Sequence, residues 1–370
     1  MLKSKKKVIL AMSGGVDSSV SAWILKQQNY QVEGLFMKNW EENDSNVYCS
    51  SKKDLADAEK VCNHLGIRLN KVNFSFEYWE NVFKIFLKEY ELGRTPNPDV
   101  LCNKEIKFKV FYEFAVNNLG ADFIATGHYV RKKKFNKLLC LLRGVDTNKD
   151  QSYFLYTINR HILKKCLFPL GKLTKKVVRK IAQRLNLSTF NKKNSTGICF
   201  INPKNINTFL ETYFPKKIGD IVTTSGKIIG QHNGVIYYTL GQRKGLGIGG
   251  IKGFKNIPWY VVDKNINYNS LTVAQGKNNY YLMSIGLIAH QVHWINNIKL
   301  NKNPFSCVVK IRYCHKDVSC KIFLYKSNFV KVLFKHPISS ITPGQSAVFY
   351  LSELCLGGGI IKERLPMLTL

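Results

Sequence analysis

Val8-Ile9-Leu10-Ala11-Met12-Ser13-Gly14-Gly15-Val16-Asp17-Ser18 is an apolar run that stops at a pair of glycines and resumes in a helical pattern. The run from Lys6 to Met12 predicts a buried strand, and Ser18 to Gln28 predicts the helix that follows it. A turn between strand and helix exposes backbone N–H groups at the helix N-terminus, where the orphan donors and the helix dipole both favour an anion. Gly14 and Gly15 let the backbone approach a phosphate closely and adopt positive φ, and Ser13 and Ser18 add hydroxyl donors. Asp17 repels phosphate, so it is expected to orient the loop or to help hold Mg²⁺. The G-x-x-x-x-G-K-[ST] spacing and its lysine are missing, so this is not the P-loop of kinases and GTPases.

Outward from this loop the pattern alternates. Val32 to Met37 and Leu69 to Phe74 read as strands, Asp54 to Leu65 and Tyr78 to Leu92 as helices, and Asp122 to Thr126 as a further strand. Such alternation predicts a doubly wound parallel sheet, an α/β domain whose ligand lies beyond the carboxyl ends of the strands. Ser13, Asn39 and Gly127 all follow strand ends and can converge there. After about residue 205 helical periods fade into short β-rich runs separated by Gly, Asn and Pro. The expected organisation is therefore an α/β domain over 1–204, a small β-rich central domain over 205–284 and a C-terminal β-barrel over 285–370. The helix from Lys175 to Leu185 places Val177, Val178, Ile181, Ala182 and Leu185 on one side. Lys175, Lys176, Arg179, Lys180 and Arg184 fall on the other, as a solvated face or one laid on a phosphate backbone.

The chain has 56 basic and 24 acidic residues, a formal charge of +32. A field of that size attracts polyanions, nucleic acid first among them, although coding drift toward A and T also scatters lysines without function. No apolar run is long enough to span a bilayer, and Val8 to Met12 is too short for a signal-peptide core, so a cytoplasmic location is expected. The ten cysteines include no C-x-x-C pair, which argues for thiols, mostly buried, over a zinc site or disulfide framework.

Two cysteines have unusual surroundings. Gly93-Arg94-Thr95-Pro96-Asn97-Pro98-Asp99-Val100-Leu101-Cys102-Asn103 holds two prolines in three residues, which predicts a stiff loop carrying Asp99 and Cys102. A helix starting near Lys104 would put Cys102 at its N-terminus beside Lys104 and Lys107, and both effects favour thiolate. Asp99 has the opposite sign and fits a proton acceptor or donor. The second thiol, in Ser195-Thr196-Gly197-Ile198-Cys199-Phe200, also lies in a polar stretch.

The string from Ser13 to Ser18 resembles the pyrophosphate loop of the ATP pyrophosphatase superfamily, whose members adenylate a substrate oxygen. With the cysteine motifs, the chain resembles the bacterial tRNA-specific 2-thiouridylase family. The further matching motifs are Met37-Lys38-Asn39-Trp40, Ala125-Thr126-Gly127-His128-Tyr129, residues 149–155, residues 241–247 and Pro343-Gly344-Gln345-Ser346-Ala347-Val348. They run through the whole chain in the family's order, with Ala11 where the family usually has glycine.

The resemblance implies that Ala11, Met12, Ser13, Gly14, Gly15, Val16, Asp17, Ser18 and Met37 hold ATP, with Gly127 at the adenine end and His128 near the reacting centre. It implies that Asn97, Pro98 and Asp99 contact the target uridine and that Asp99 is the acid/base. Cys199 would take sulfur as a persulfide from a carrier protein, and Cys102 would release it, leaving a transient Cys102–Cys199 disulfide. Lys149, Asp150, Gln151, Arg312 and Tyr313 would touch tRNA, with Gln345 near the base. The implied partners are ATP with Mg²⁺, the tRNAs for lysine, glutamate and glutamine, and a sulfur relay; the protein would otherwise be a monomer. Another adenylating ligase on the same fold, or an RNA-binding protein with a relic nucleotide pocket, are the competing readings.

Overall fold

The computed structural model describes residues 5–40, 51–135, 138–193, 206–296, 303–325 and 328–367. Its first element is β1 (Lys7–Ala11), where Val8, Ile9 and Leu10 are fully buried, as expected of a central strand covered on both faces. The chain continues through α1 (Val16–Gln27), β2 (Gln31–Lys38), α2 (Ser51–Leu65) and β3 (Leu69–Asn73). A helical run follows as α3 (Ser75–Tyr78), a wide π-type segment (Trp79–Phe83) and α4 (Lys84–Glu91). A second run comprises α5 (Pro98–Leu101), a π-type segment (Cys102–Val110) and α6 (Phe111–Asn117). Then come β4 (Phe123–Ala125), a hairpin of β5 (Val130–Phe135) and β6 (Leu138–Arg143), α7 (Arg160–Lys165), β7 (Cys166–Leu167) and α8 (Lys175–Arg184).

The first sheet has the order β3-β2-β1-β4-β7, and every pair in it is parallel. The order reverses direction between β1 and β4. The crevice beyond the carboxyl ends of those two strands is thus the topological switch point, where doubly wound sheets bind ligands. The loops after β1 and β4 begin at Met12 and Thr126, so the sheet itself brings the glycine pair and Gly127 together.

Next comes α9 (Ile206–Glu211), whose Leu210 is buried in the core cluster of Phe83 and Phe86. The small central domain is built on β8 (Gly219–Thr223), β9 (Ile228–His232), β10 (Trp259–Asn265) and β11 (Ser270–Gln275), in the order β10-β11-β8-β9. Ile221, Val261, Leu271 and Val273 are fully buried between this sheet and the irregular segment that packs on it. The last domain contains β12 (Met283–Trp294), β13 (Phe305–Lys310), β14 (Val318–Tyr325), β15 (Phe329–Ser339), β16 (Ser346–Leu351) and β17 (Leu354–Pro366). β12 pairs with both β15 and β17, which closes six strands into a barrel and removes its edges.

Arg131 to Lys134, four consecutive cations, form most of β5, and the β5–β6 hairpin leaves the first domain to extend the barrel sheet at β17. Leu354 and Cys355 pair with Leu142 and Leu141, so the buried face of β6 decides the structure of its charged partner. Arg143 lies 3.8 Å over the Tyr350 ring and reaches Asp317 at 2.9 Å, while Arg131 reaches Glu353 at 2.8 Å. Four consecutive cations hide strand alternation, because nothing local shows which of them will find a partner across the domain boundary. Among the described residues no helix is long and apolar enough to cross a membrane.

Candidate active site

The loop after β1 is shorter than its sequence suggests. α1 begins at Val16 rather than near Ser18, with Gly15 as its N-cap and no side chain capping it. Only Gly14 takes positive φ, at +67°; Gly15 is extended, with φ −101°. Ser18 Oγ accepts from the Ser13 amide at 3.3 Å and donates to the Gly15 carbonyl at 3.0 Å, so the loop is folded over its own first helical turn. Met12 and Val16 bury their side chains in the core, at 1% and 3% exposure, which leaves only their backbone to face a nucleotide. Met37 lies near the end of β2, half-buried on the same carboxyl edge of the sheet.

Gly127 is the floor of this crevice. A Cβ there would lie 3.2 Å from the Ser18 amide nitrogen and 3.1 Å from the Asp17 carbonyl carbon, so glycine gives the β4 loop its close approach to the first turn of α1, and a larger residue would have to push the two apart by a few tenths of an ångström. His128, beside it, is buried; its Nδ1 is 2.8 Å from Thr126 Oγ1, and its ring lies 6.0 Å from Phe108. Burial, aided by the Lys107 charge, holds its pKa well below the usual histidine range, so it is neutral.

Asp17 accepts two bonds of 2.7 Å from Lys175 Nζ and one of 2.7 Å from the Tyr129 hydroxyl. These bonds fix the orientation of its carboxylate. Lys192 Nζ donates to the Gly14 carbonyl at 2.9 Å and pairs with Asp54 at 2.7 Å and Asp57 at 2.5 Å. The carboxylates around the loop are thus already engaged by lysines, and the described residues hold no cluster able to cage a metal ion. These residues do not fit a resident Mg²⁺.

Lys175 and Arg179 were expected on the outer face of α8. Lys175 is instead 9% exposed, and Arg179 donates to the carbonyls of Phe190 at 2.9 Å and Lys192 at 3.1 Å. Val177, assigned to the apolar side, is 40% exposed, and Lys176, Lys180 and Arg184 are exposed as expected. A lysine in the first turn opposes the helix dipole, which was the available signal that this one answers a carboxylate elsewhere. Thr174 caps the helix at the Val177 amide, and Asp146 takes the Lys175 amide at 2.8 Å. Tyr129 and Lys175, given no part in the loop by the sequence reading, and Lys192, which it did not single out, are the side chains that hold the loop's carboxylates.

The cysteine motif is helical where a stiff loop was expected. Pro98 occupies the first helical turn, where a missing N–H costs nothing, and Asn97 caps it by accepting from the Val100 amide at 3.4 Å. Asp99 and Cys102, three residues apart, therefore share a helix face. Cys102 is 2% exposed and starts the π-type segment, a distortion frequent at functional sites. Burial raises the Asp99 pKa above the ordinary carboxylate value against the opposing pull of Lys107. Asn103 Nδ2 donates to the Phe154 carbonyl at 3.4 Å, which joins this helix to the segment after Gln151. Cys199 lies outside the described residues. The other buried thiols include Cys62, pushed up to about 11 by burial, and Cys166 and Cys355, raised further by the same cause.

Asp150 is 3% exposed and accepts from the Gly144 and Ser152 amides at 3.0 and 3.1 Å, so its carboxylate builds the turn and does not face outward. Lys149 is half-buried, and Gln151 accepts from the Tyr129 amide at 3.0 Å. Arg312 donates to the carbonyls of Leu240 at 3.2 Å and Ser340 at 3.0 Å, and to Thr342 Oγ1, clamping the central domain to the barrel. Tyr313 packs on Phe154 with ring centres 4.5 Å apart. Gln345 Nε2 donates to Thr95 at 2.9 Å and Pro96 at 3.3 Å, just before the 97–99 motif.

Burial makes the histidines acid-sensitive. His128, His232, His290, His293 and His315 are all held below the usual value, with burial the first cause in each. Unfolded histidines bind protons first, so stability is fully present above about pH 6.5 and falls as pH drops through that value toward the folded-state values. Asp99, whose pKa is raised, acts oppositely over the carboxylate range. Urea-unfolding midpoints are expected to be level from about pH 6.5 to 7.5 and to fall at lower pH; a midpoint unchanged down to about pH 5 contradicts the assignment.

Residues 6–203 match the family model described as the tRNA methyl transferase HUP domain. Residues 207–275 match the tRNA methyl transferase PRC-barrel domain, and 284–361 the aminomethyltransferase beta-barrel domain. The chain is 67% identical over 370 residues to the tRNA-specific 2-thiouridylase MnmA of Buchnera aphidicola subsp. Baizongia pistaciae, covering 100% of both. It is 61% identical over 368 residues to that of the subspecies Acyrthosiphon pisum, again covering 100% of both. The enzyme of Salmonella typhimurium is 58% identical over 371 residues, covering 99% of this chain and 100% of the relative. Similar to these relatives from end to end, and matched in all three of its parts, the chain belongs to the tRNA-specific 2-thiouridylase family.

Proposed function

We propose that this enzyme uses ATP to adenylate the C2 oxygen of the wobble uridine of tRNA and replaces that oxygen with sulfur. The observation that carries the reading is one of placement. Gly127 packs on the Ser13–Ser18 loop, while its neighbour His128 packs on the helix that begins with Asp99 and Cys102. Adjacent residues thus link the phosphate-binding turn to the helix that carries the buried thiol, which supports their acting together.

The uncapped N-terminus of α1 supplies amides for the phosphates, and Lys175 and Tyr129 fix Asp17 beneath them. Mg²⁺ would come as part of the ATP substrate, where it would offset phosphate charge without a ligand set from the described residues. The uracil oxygen attacks the α-phosphorus and pyrophosphate leaves, which converts a poor leaving group into AMP. Asp99, with its raised pKa, accepts the proton that the base gives up. Cys102 thiolate then attacks the inner sulfur of a Cys199 persulfide. A Cys102–Cys199 disulfide forms, and the outer sulfur leaves as hydrosulfide with the bonding electrons. Hydrosulfide attacks C2, AMP departs, and a dithiol reductant returns the cysteine pair to thiols.

Lys149, Gln151 and Tyr313 make the tRNA contacts, with Asp150 and Arg312 shaping that surface from beneath. Gln345 acts near the base. The target base is read by Asn97, Pro98 and Asp99. The substrates are the tRNAs for lysine, glutamate and glutamine, the sulfur source is a carrier protein or desulfurase relay, and the enzyme acts as a monomer in the cytoplasm. The working units are 1–204, 205–284 and 285–370, with the β5–β6 hairpin lent by the first to the third.

The test is incubation of the purified protein with ATP, unmodified tRNA and a persulfide donor. Expected products are AMP, pyrophosphate and 2-thiouridine at the wobble position. Binding of tRNA without AMP release would identify a relic nucleotide pocket; AMP release with an unthiolated base would identify a different adenylating ligase.

A further inference from the structure

We infer that Lys264, on the central domain, is a positioning residue for the target-base motif, holding residues 93–96 so that the seating of the two C-terminal domains sets the placement of Asn97, Pro98 and Asp99. The inference rests on the reading of 97–99 as the base-contacting motif. Residues 93–96 run between the end of the α4 helix and the Asn97 cap of α5, and both other domains grip them.

From the central domain, Lys264 Nζ donates to the Gly93 carbonyl at 2.9 Å and to its own domain's Tyr238 carbonyl at 2.5 Å. Thr239 Oγ1 lies 3.1 Å from Thr95 Oγ1. From the barrel, the Pro343 carbonyl takes the Thr95 amide at 3.0 Å. Gln345 Nε2 takes the carbonyls of Thr95 and Pro96, and Gly344 sits so close that a Cβ would lie 2.9 Å from the Thr95 carbonyl carbon. Arg312 locks the two gripping domains to each other behind this contact. The carbonyls of Gly93, Thr95 and Pro96 are thus all bonded by side chains of the C-terminal domains, immediately before the helix that carries Asp99 and Cys102.

Lys264 is a costly residue for simple packing. Burial lowers its ammonium to about 8, and among the described residues no carboxylate forms an ion pair with it. Neighbouring Asp263 and the Arg94–Glu89 pair line or border the site without taking that bond. An apolar side chain would fill the space without the desolvation cost, so what the lysine adds is a charge-assisted grip on a carbonyl of the strap. Because that strap leads directly into a catalytic helix, a shift of about 1 Å in it is expected to slow chemistry by up to about a hundredfold.

The test compares Lys264→Met with Lys264→Arg in the full-length enzyme. Lys264→Met keeps the length and removes the donors. Lys264→Arg keeps charge and donors, and the adjoining cleft of about 220 Å³, bordered by Arg94, Leu240 and Thr342, gives the larger head room. Lys264→Met is expected to lower kcat by about tenfold or more while the KM for tRNA stays within about twofold, and Lys264→Arg to recover most of kcat. Thr239→Val, which cuts the second central-domain bond, should move kcat in the same direction by less. A wild-type kcat in Lys264→Met overturns the inference. So does a parallel loss of tRNA binding and thermal stability that Lys264→Arg does not repair, since that is the signature of a folding defect. Asp99→Asn separates the two readings: if it retains full kcat, the motif reading fails. If it is inactive while Lys264→Met is normal, only the role of Lys264 fails.

Discussion

Cys199→Ser is expected to stop sulfur transfer while leaving adenylation in place. A serine carries no sulfane sulfur, so thiolation should fall by about 10³-fold or more, the scale seen when a covalent carrier is removed. Pyrophosphate should still be released, as a burst limited to one turnover per tRNA bound. Cys102→Ser should give the complementary defect. Cys199 would still be charged by the donor, and the protein would gain the mass of one sulfur atom that it cannot discharge. The pair separates carrier from releaser. Full thiolation by Cys199→Ser would remove the persulfide assignment; failure of Cys102→Ser to accumulate the added sulfur would remove the assigned order.

Gly14→Ala is expected to disable the nucleotide loop, whereas Gly15→Ala is not. At Gly14 a Cβ would lie 2.0 Å from the Asp54 carbonyl oxygen and 2.8 Å from its carbon, both backbone atoms, and φ is +67°. The loop or α2 must move, and the Lys192 bridge that ties Gly14 to Asp54 and Asp57 moves with it. Strain of this kind costs about 1–3 kcal/mol. ATP affinity should fall by about a hundredfold, because displaced amides no longer converge on the phosphates. At Gly15 the nearest atom to a Cβ is Ser13 Oγ at 3.4 Å, and the backbone is extended, so alanine is accommodated. Equal ATP binding by the two variants, measured by titration calorimetry, would mean that the loop does not hold the phosphates in this geometry.

These two predictions draw on different sources. The cysteine prediction rests on the family resemblance: polar surroundings single out Cys102 and Cys199 in the sequence, the family's motifs imply their roles, and Cys102 proves to be buried in the core. The difference between Gly14 and Gly15 was not legible in sequence. Two adjacent glycines look alike until the approach of α2 shows which of them has no room for a side chain. The same holds for the loop's charges. Asp17 reads as an acid in a phosphate site, an apparent conflict, until Lys175 arrives from 158 residues further along the chain to pair with it. A helical wheel put that lysine outside, since a wheel divides polar from apolar and cannot show a buried carboxylate waiting on another element.

By itself the sequence determined most of the first domain's local elements and the family to which the chain belongs. A five-residue apolar strand, a glycine turn and a helix form from nearest-neighbour propensities, and the parallel order follows from their alternation. Tertiary structure decided everything that depends on partners distant in the chain. It made Arg131 to Lys134 a strand of another domain's sheet, converted the proline-rich motif from loop to helix N-terminus, and turned Asp150 and Arg312 inward. The physical reason is the same in each case. Propensity is a property of adjacent residues, whereas burial, ion pairing and the room left for a Cβ belong to segments that meet only once the chain has folded.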